Sequence, residues 1–143
     1  MNLLEKSINF ALEVHAGQTD RYGRPYILHP LHLMSQMDTE VEMMAAVLHD
    51  VIEDSDTTLD DLRRLGLPEE VIEAVSLLTH DEADSYEDYV RKLKPNAVAR
   101  KIKLADLAHN MAIRRMDRVT EKDAARLDKY RRAWEILTTD AQD

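Results

Sequence analysis

Apolar residues return every third or fourth position along almost the whole chain, and no stretch alternates as a half-buried strand would. Leu4, Ile8, Leu12 and His15 fall on one face of a first helix read over Leu3–His15, with Gly17 placed as its C-terminal cap. His29-Pro30 reads as the start of a short helix, with proline in its first turn. Thr39-Glu40-Val41-Glu42 is a capping box, and it opens a helix with Val41, Met44, Ala45, Leu48 and Ile52 on one stripe. Thr58-x-x-Asp61 starts the next, which Gly66 ends, and Pro68 starts another that turns Val71, Val75 and Leu78 inward. Ser85-x-x-Asp88 caps a short helix stopped by Pro95. A long helix is expected from about Asn96 to Arg115, with Ile102, Ala105, Ala108 and Met111 facing in. Thr120-x-x-Asp123 opens the last, with Leu127, Tyr130, Trp134 and Leu137 at helical spacing and Trp134 expected in the core. The expectation is an all-α fold, a single domain over residues 1–143 built from seven or eight helices.

Composition narrows the function. The chain carries 28 acidic against 19 basic side chains, a net charge of −9. Such a balance argues against binding a nucleic-acid polymer, whose phosphates must be met by clustered Lys and Arg. There is no cysteine, so thiolate metal sites and cysteine nucleophiles are excluded. No apolar run approaches the roughly 18 residues that cross a bilayer, and the charged N-terminus does not read as a signal peptide. The expectation is a cytoplasmic domain that handles a small molecule and makes no membrane contact, with its oligomeric state left open.

The informative stretch is Leu48-His49-Asp50-Val51-Ile52-Glu53-Asp54. At about 100° per residue, positions 49, 50, 53 and 54 share one helical arc of roughly 140°. That arc adjoins the apolar stripe, so three carboxylates and an imidazole border the core. Buried without partners they would be costly, and a divalent cation would supply the missing charge. His29 offers a second imidazole. Asp106 offers a second carboxylate, aligned at i±4 with Ile102 and Asn110. Two imidazoles with two carboxylates form a nitrogen-and-oxygen donor set that suits Mn(II), Fe(II) or Zn(II).

These residues sit in a longer ordered pattern. Phe10-Ala11-x-x-x-His15-Ala16-Gly17-Gln18 comes first, then Gly23-x-Pro25-Tyr26-Ile27-x-His29-Pro30. Leu48-His49-Asp50-x-x-Glu53-Asp54-x-x-x-Thr58-Leu59 and Lys103-Leu104-Ala105-Asp106-x-x-x-Asn110 follow. The set resembles the HD-domain metal-dependent phosphohydrolases, and within them the hydrolase domain of the RelA/SpoT alarmone enzymes and their small stand-alone relatives. The resemblance implies a compact HD-type helical bundle, with His29, His49, Asp50 and Asp106 as ligands of a metal that is usually Mn(II); Fe, Ni or Zn would suit the same ligands. It implies that Glu53 and Asp54 are the acid/base pair at the reacting water and that Asn110 contacts the nucleotide or positions it. The implied reaction removes the 3′-pyrophosphate of (p)ppGpp. A chain of this length leaves no room for a synthetase segment, so hydrolysis alone is expected.

Arg21, Arg24 and Lys103 are the candidates to meet substrate phosphates. Two positions depart from the alarmone pattern: Asp20 stands where those enzymes usually carry Arg, and Ile113 where they often carry a hydroxyl. They keep open the reading of an HD phosphohydrolase of another phosphoester such as a nucleoside monophosphate; a third reading, a non-catalytic metal-containing nucleotide-binding module, has Glu53 and Asp54 against it. His15 is expected in a supporting hydrogen bond. His32, His80 and His109 are expected to be ordinary helix or loop residues, and Tyr86 and Tyr89 to serve packing. The Arg114-Arg115-x-x-Arg118 cluster is expected either to bind anions or to serve a helix C-terminus.

Overall fold

Local signals in the chain account for most helix boundaries. The structure, a computed structural model, describes residues 1–139. Among them eight α-helices follow in order: α1 Leu3–His15, α2 Leu28–Ser35, α3 Glu40–Val47, α4 Leu59–Arg64, α5 Glu69–Leu78, α6 Tyr86–Leu93, α7 Ala97–Asn110 and α8 Glu121–Thr138. Asn2, Thr39, Thr58 and Thr120 each accept from the N3 backbone, while the Glu or Asp at N3 returns a bond to the cap's own N–H. The all-α architecture is as expected.

The helix α3 is the hub. It packs on α1, α2, α5 and α7, and Met44, Ala45, Ala46 and Val47 are buried on every side of it. Two alanines in that run let neighbouring helices approach closely. α7 touches α2, α3, α5 and α8, so the helices bearing the candidate ligands form one packed group.

Four expectations need correction. The segment with His49 and Asp50 is not regular helix: α3 ends at Val47, and Val51 N–H bonds Leu48 O at 3.2 Å in a tighter turn. The single-arc argument for residues 49–54 therefore does not describe their backbone. α7 ends at Asn110, and residues Ile113–Arg115 make a separate 3₁₀ turn after Ala112 takes an extended conformation. Trp134 is exposed at 37%, because α8 buries Ala133 and Leu137 along a narrow stripe against α6 and α7. Leu12 and Ala108 also face outward. In α1 the inward line is Ser7, Ala11 and His15, and in α7 it is Ala99, Ile102, Lys103 and Asp106, with an ion pair taking core positions.

The loop between α1 and α2 folds back on itself. Asp20 N–H bonds Arg24 O at 2.8 Å, Tyr26 N–H bonds Gln18 O at 2.9 Å, and Thr19 pairs with Pro25 in an isolated bridge. Gly23 closes the turn at φ +80°, a conformation that side chains disfavour. This fold-back sets Tyr26 and His29 against α3 and α7.

Candidate metal centre

Three elements deliver the candidate donors. His29 comes from the first turn of α2, His49 and Asp50 from the turn after α3, and Asp106 from the inward face of α7. Ligand atoms of His29, His49 and Asp50 all lie within 4.8 Å of one another. Asp106 Oδ1 lies 2.8 Å from His29 Nε2 and 3.8 Å from His49 Nε2. His29, His49 and Asp106 are all buried.

Both imidazoles are held by their far nitrogens. His49 Nδ1 meets Ala46 O at 2.8 Å, and His29 Nδ1 faces His109 Nδ1 at 2.7 Å. Burial, followed by the charge on His29, pushes the His109 pKa down to about 3. The neutral His109 ring can therefore accept a proton from His29 Nδ1, which leaves His29 Nε2 as the nitrogen facing the site. His49 Nε2 is buried and makes no well-formed hydrogen bond, although Asp50 Oδ2 is 3.0 Å away. An orphaned imidazole nitrogen between two carboxylates is what a bound cation would satisfy, so the residues fit a divalent metal.

Electrostatics keep the two carboxylates ionised. Burial would raise Asp106, but Lys103 and His29 outweigh it and hold the carboxyl well below its usual range. Burial likewise opposes ionisation of Asp50, and His49 prevails. Burial would lower His49, yet Asp50 and Asp106 lift it to about 9, so the imidazole holds a proton that it must give up to become a ligand. Tyr26 O–H donates to Asp50 Oδ2, and burial with that carboxylate raises the phenol far above its ordinary value. Asp54 is raised to about 6, first by burial and then by Asp50 and Glu53. Glu53 is raised by burial, against the bond its carboxylate accepts from His80 N–H.

A cavity of about 460 Å³ opens over this cluster. His29, Asp50, Glu53, Asp54, Asp106, Arg21, Lys103 and Asn110 line it, so most of the expected residues meet there. His49 faces a smaller adjoining cavity that shares Asp50, Glu53, Lys103 and Asp106. Arg24 does not line the main cavity. Lys103 is buried, with Nζ 2.9 Å from Asp106 Oδ2 and 5.2 Å from the Tyr89 ring centre, and so it is the counter-ion of Asp106. Asn110 Nδ2 donates to Asp106 Oδ1 at 3.0 Å. His15 Nδ1 bonds Gln18 Oε1 at 2.8 Å, the supporting role expected of it.

Four residues escaped sequence reasoning. Tyr26 had a signal, three positions before His29 and inside a quoted motif. His109 was expected to be an ordinary helix residue because it points away from Asn110; instead it stacks on both His29 and His32. Tyr130 was read only as one of the helically spaced residues of the last helix; it lines the main cavity. Arg115 reaches the same cavity from the 3₁₀ turn; it was read only as part of an arginine cluster and not placed at this site.

No family model matches the chain. Curated relatives do. The bifunctional (p)ppGpp synthase/hydrolase SpoT of Escherichia coli is 34% identical over 122 residues, 76% of this chain and 17% of that protein. The zebrafish (Danio rerio) guanosine-3′,5′-bis(diphosphate) 3′-pyrophosphohydrolase MESH1 is 32% identical over 143 residues, covering 90% of this chain and 78% of that one. The chain belongs to the SpoT/MESH1 family of (p)ppGpp hydrolases. It spans only about 17% of the length of SpoT, whereas it matches most of the zebrafish member of the SpoT/MESH1 family. A solved structure, described as a metazoan ortholog of SpoT that hydrolyzes ppGpp, superposes with a TM-score of 0.78 at 24% identity, covering 96% of this chain and 86% of that one. That match carries the fold. Membership of the SpoT/MESH1 family, together with the donor set, implies a divalent metal.

Proposed function

We propose that this chain is a (p)ppGpp 3′-pyrophosphohydrolase that uses Mn(II), held by His29, His49, Asp50 and Asp106. The observation that carries the reading is the orphaned His49 Nε2 among two carboxylates and a second imidazole, under a cavity large enough for a nucleotide. The two imidazole nitrogens and two carboxylates suit Mn(II), and Fe, Ni or Zn are the other ions they accept. When bound, such an ion makes water more acidic and polarises a phosphoryl oxygen.

The chain's own groups divide the remaining work. Asp54, raised to about 6, is still largely ionised at neutral pH and takes the proton of the attacking water. Glu53, fixed by His80 N–H, orients that water. Tyr26 holds Asp50, while His109 and Ala46 hold the two imidazoles. Asn110 and Arg21 face the nucleotide, and Lys103 keeps Asp106 ionised. The products are GDP or GTP and pyrophosphate. The test is incubation of chelator-stripped protein with ppGpp, with and without added Mn(II). Pyrophosphate appears only with the metal and is abolished in Asp50→Ala. Phosphate released from a different nucleotide, with ppGpp untouched, would overturn the substrate assignment.

A further inference from the structure

A second cavity, of about 350 Å³, lies on the other side of the fold-back loop. Arg24, Arg114 and Arg115 line it with His32 and His109, and Asp20 is its one carboxylate. In a chain of net charge −9, three guanidiniums gathered around one carboxylate are a local reversal of sign. Asp20 and Arg115 line this cavity and the main one alike, so they form the wall between the two.

The carboxylate in that wall is largely occupied. Asp20 Oδ1 accepts from Tyr22 N–H at 2.8 Å and from Arg24 N–H at 3.0 Å, which ties the loop together. Asp20 Oδ2 lies 3.6 Å from Arg115 Nη2, too long for a strong charge-assisted bond. Arg115 is fixed from elsewhere: Nη1 donates to His109 O at 2.8 Å, and the guanidinium lies 5.7 Å from the Tyr22 ring centre. A guanidinium carries five N–H donors, so Arg115 is positioned and still has donors to offer.

We propose that this second cavity is a subsite for a phosphate or diphosphate group of the substrate remote from the bond that is cleaved, with Arg115 spanning both cavities. The inference rests on the functional reading above, because a guanosine 3′,5′-bis(diphosphate) carries one diphosphate besides the one that is released. It also accounts for Asp20, whose carboxylate is taken up by the loop's own N–H groups.

Arg24 and Arg114 are exposed, so the double variant Arg24→Ala/Arg114→Ala should fold. The KM for guanosine 3′,5′-bis(diphosphate) is expected to rise about tenfold with kcat within about twofold, while the KM for guanosine 3′-diphosphate stays unchanged. An equal change for both substrates, or none for either, overturns the subsite. A second measurement stands apart from turnover: calorimetric binding of inorganic pyrophosphate to chelator-treated protein. The double variant is expected to bind about tenfold more weakly than the wild type. If ppGpp is not turned over but this difference holds, the substrate assignment fails and the anion site stands. If the two proteins bind pyrophosphate equally, the anion site fails whatever the turnover.

Discussion

The floor of the main cavity and its rim are built on opposite principles. On the floor, His29, His49 and Asp106 are buried, and each is tied to a partner that fixes its orientation. Around it, on the rim and in the adjoining second cavity, Arg21 and Arg24 stand on a turn held by backbone bonds, and Arg115 reaches in from a single 3₁₀ turn. Buried charge without a rigid partner is expensive, so the floor is overdetermined. Solvated charge costs little to move, and the rim can vary without threatening the fold. A floor of this kind serves chemistry that needs atoms fixed in place. The rim serves recognition.

The largest expected effect separates the two directly. Asp50→Ala should lower kcat by on the order of 10³-fold and remove metal binding, since the ion supplies several kcal/mol of the stabilisation. The variant Arg24→Ala/Arg114→Ala, in the second cavity beside the rim, should move KM and leave kcat nearly intact. If both variants shifted the same parameter, the division between floor and rim would be broken. Steady-state kinetics with metal analysis of each purified protein decides it.

Next in size is Asp54→Asn, with an expected loss of about 10²- to 10⁴-fold in kcat. The base must be unprotonated, and Asp54 has its pKa raised to about 6. Rate should therefore climb with pH up to about 6 and level off above it, and that acid limb should vanish from the residual activity of Asp54→Asn. A limb that survives unchanged in the variant would assign the base elsewhere.

A smaller effect is expected at the ring behind the floor. His109→Ala removes the acceptor for His29 Nδ1 and leaves every candidate ligand in place. Loss of a partner of this kind weakens metal affinity about 10- to 100-fold. Activity should return at raised Mn(II), which titration of the stripped variant would read. Failure to recover at saturating metal would mean that His109 acts on the substrate itself.

The contrast between floor and rim also explains what the sequence disclosed. Capping boxes and apolar periodicity act within one turn, so the helix at Leu3–His15 and the start of the last one after Thr120 were readable almost to the residue. His29, His49, Asp50 and Asp106 stood out because polar groups beside apolar stripes need partners. Helical phase was less legible: Leu12, Ala108 and Trp134 face outward because small or polar residues take the closest approaches between helices. The departure from helix after Val47 was hidden for a different reason, since residues 48–52 remain apolar enough to continue it. Tyr26, His109 and Arg115 depend on contacts between segments far apart in the chain, which no local pattern encodes.

The smallest expected effect lies outside both regions, at the far end of the helix that leads to His49. Glu42 Oε1 accepts from Asp38 N–H at 3.0 Å and Thr39 N–H at 3.2 Å, and Lys101 Nζ lies 2.9 Å away. The bond to Lys101, opposed by partial burial and aided by the two backbone N–H groups, holds the Glu42 carboxyl below its ordinary value of 4.5. Gln at this position keeps an acceptor for the backbone but loses the charge. Glu42→Gln should then lose about 0.5–1 kcal/mol of stability at neutral pH, because the ion pair is partly solvated. The sign of the pH dependence follows from a folded pKa below the unfolded one: the carboxylate's contribution is complete above 4.5 and disappears as pH falls through the lower folded value. Urea melts of the two proteins should therefore converge in strongly acidic buffer and diverge near neutrality. At temperatures where both are folded, kcat and KM should be identical. A change in either would mean that α3 transmits strain from its first turn to His49, and that the floor is less independent of the scaffold than its dense packing implies.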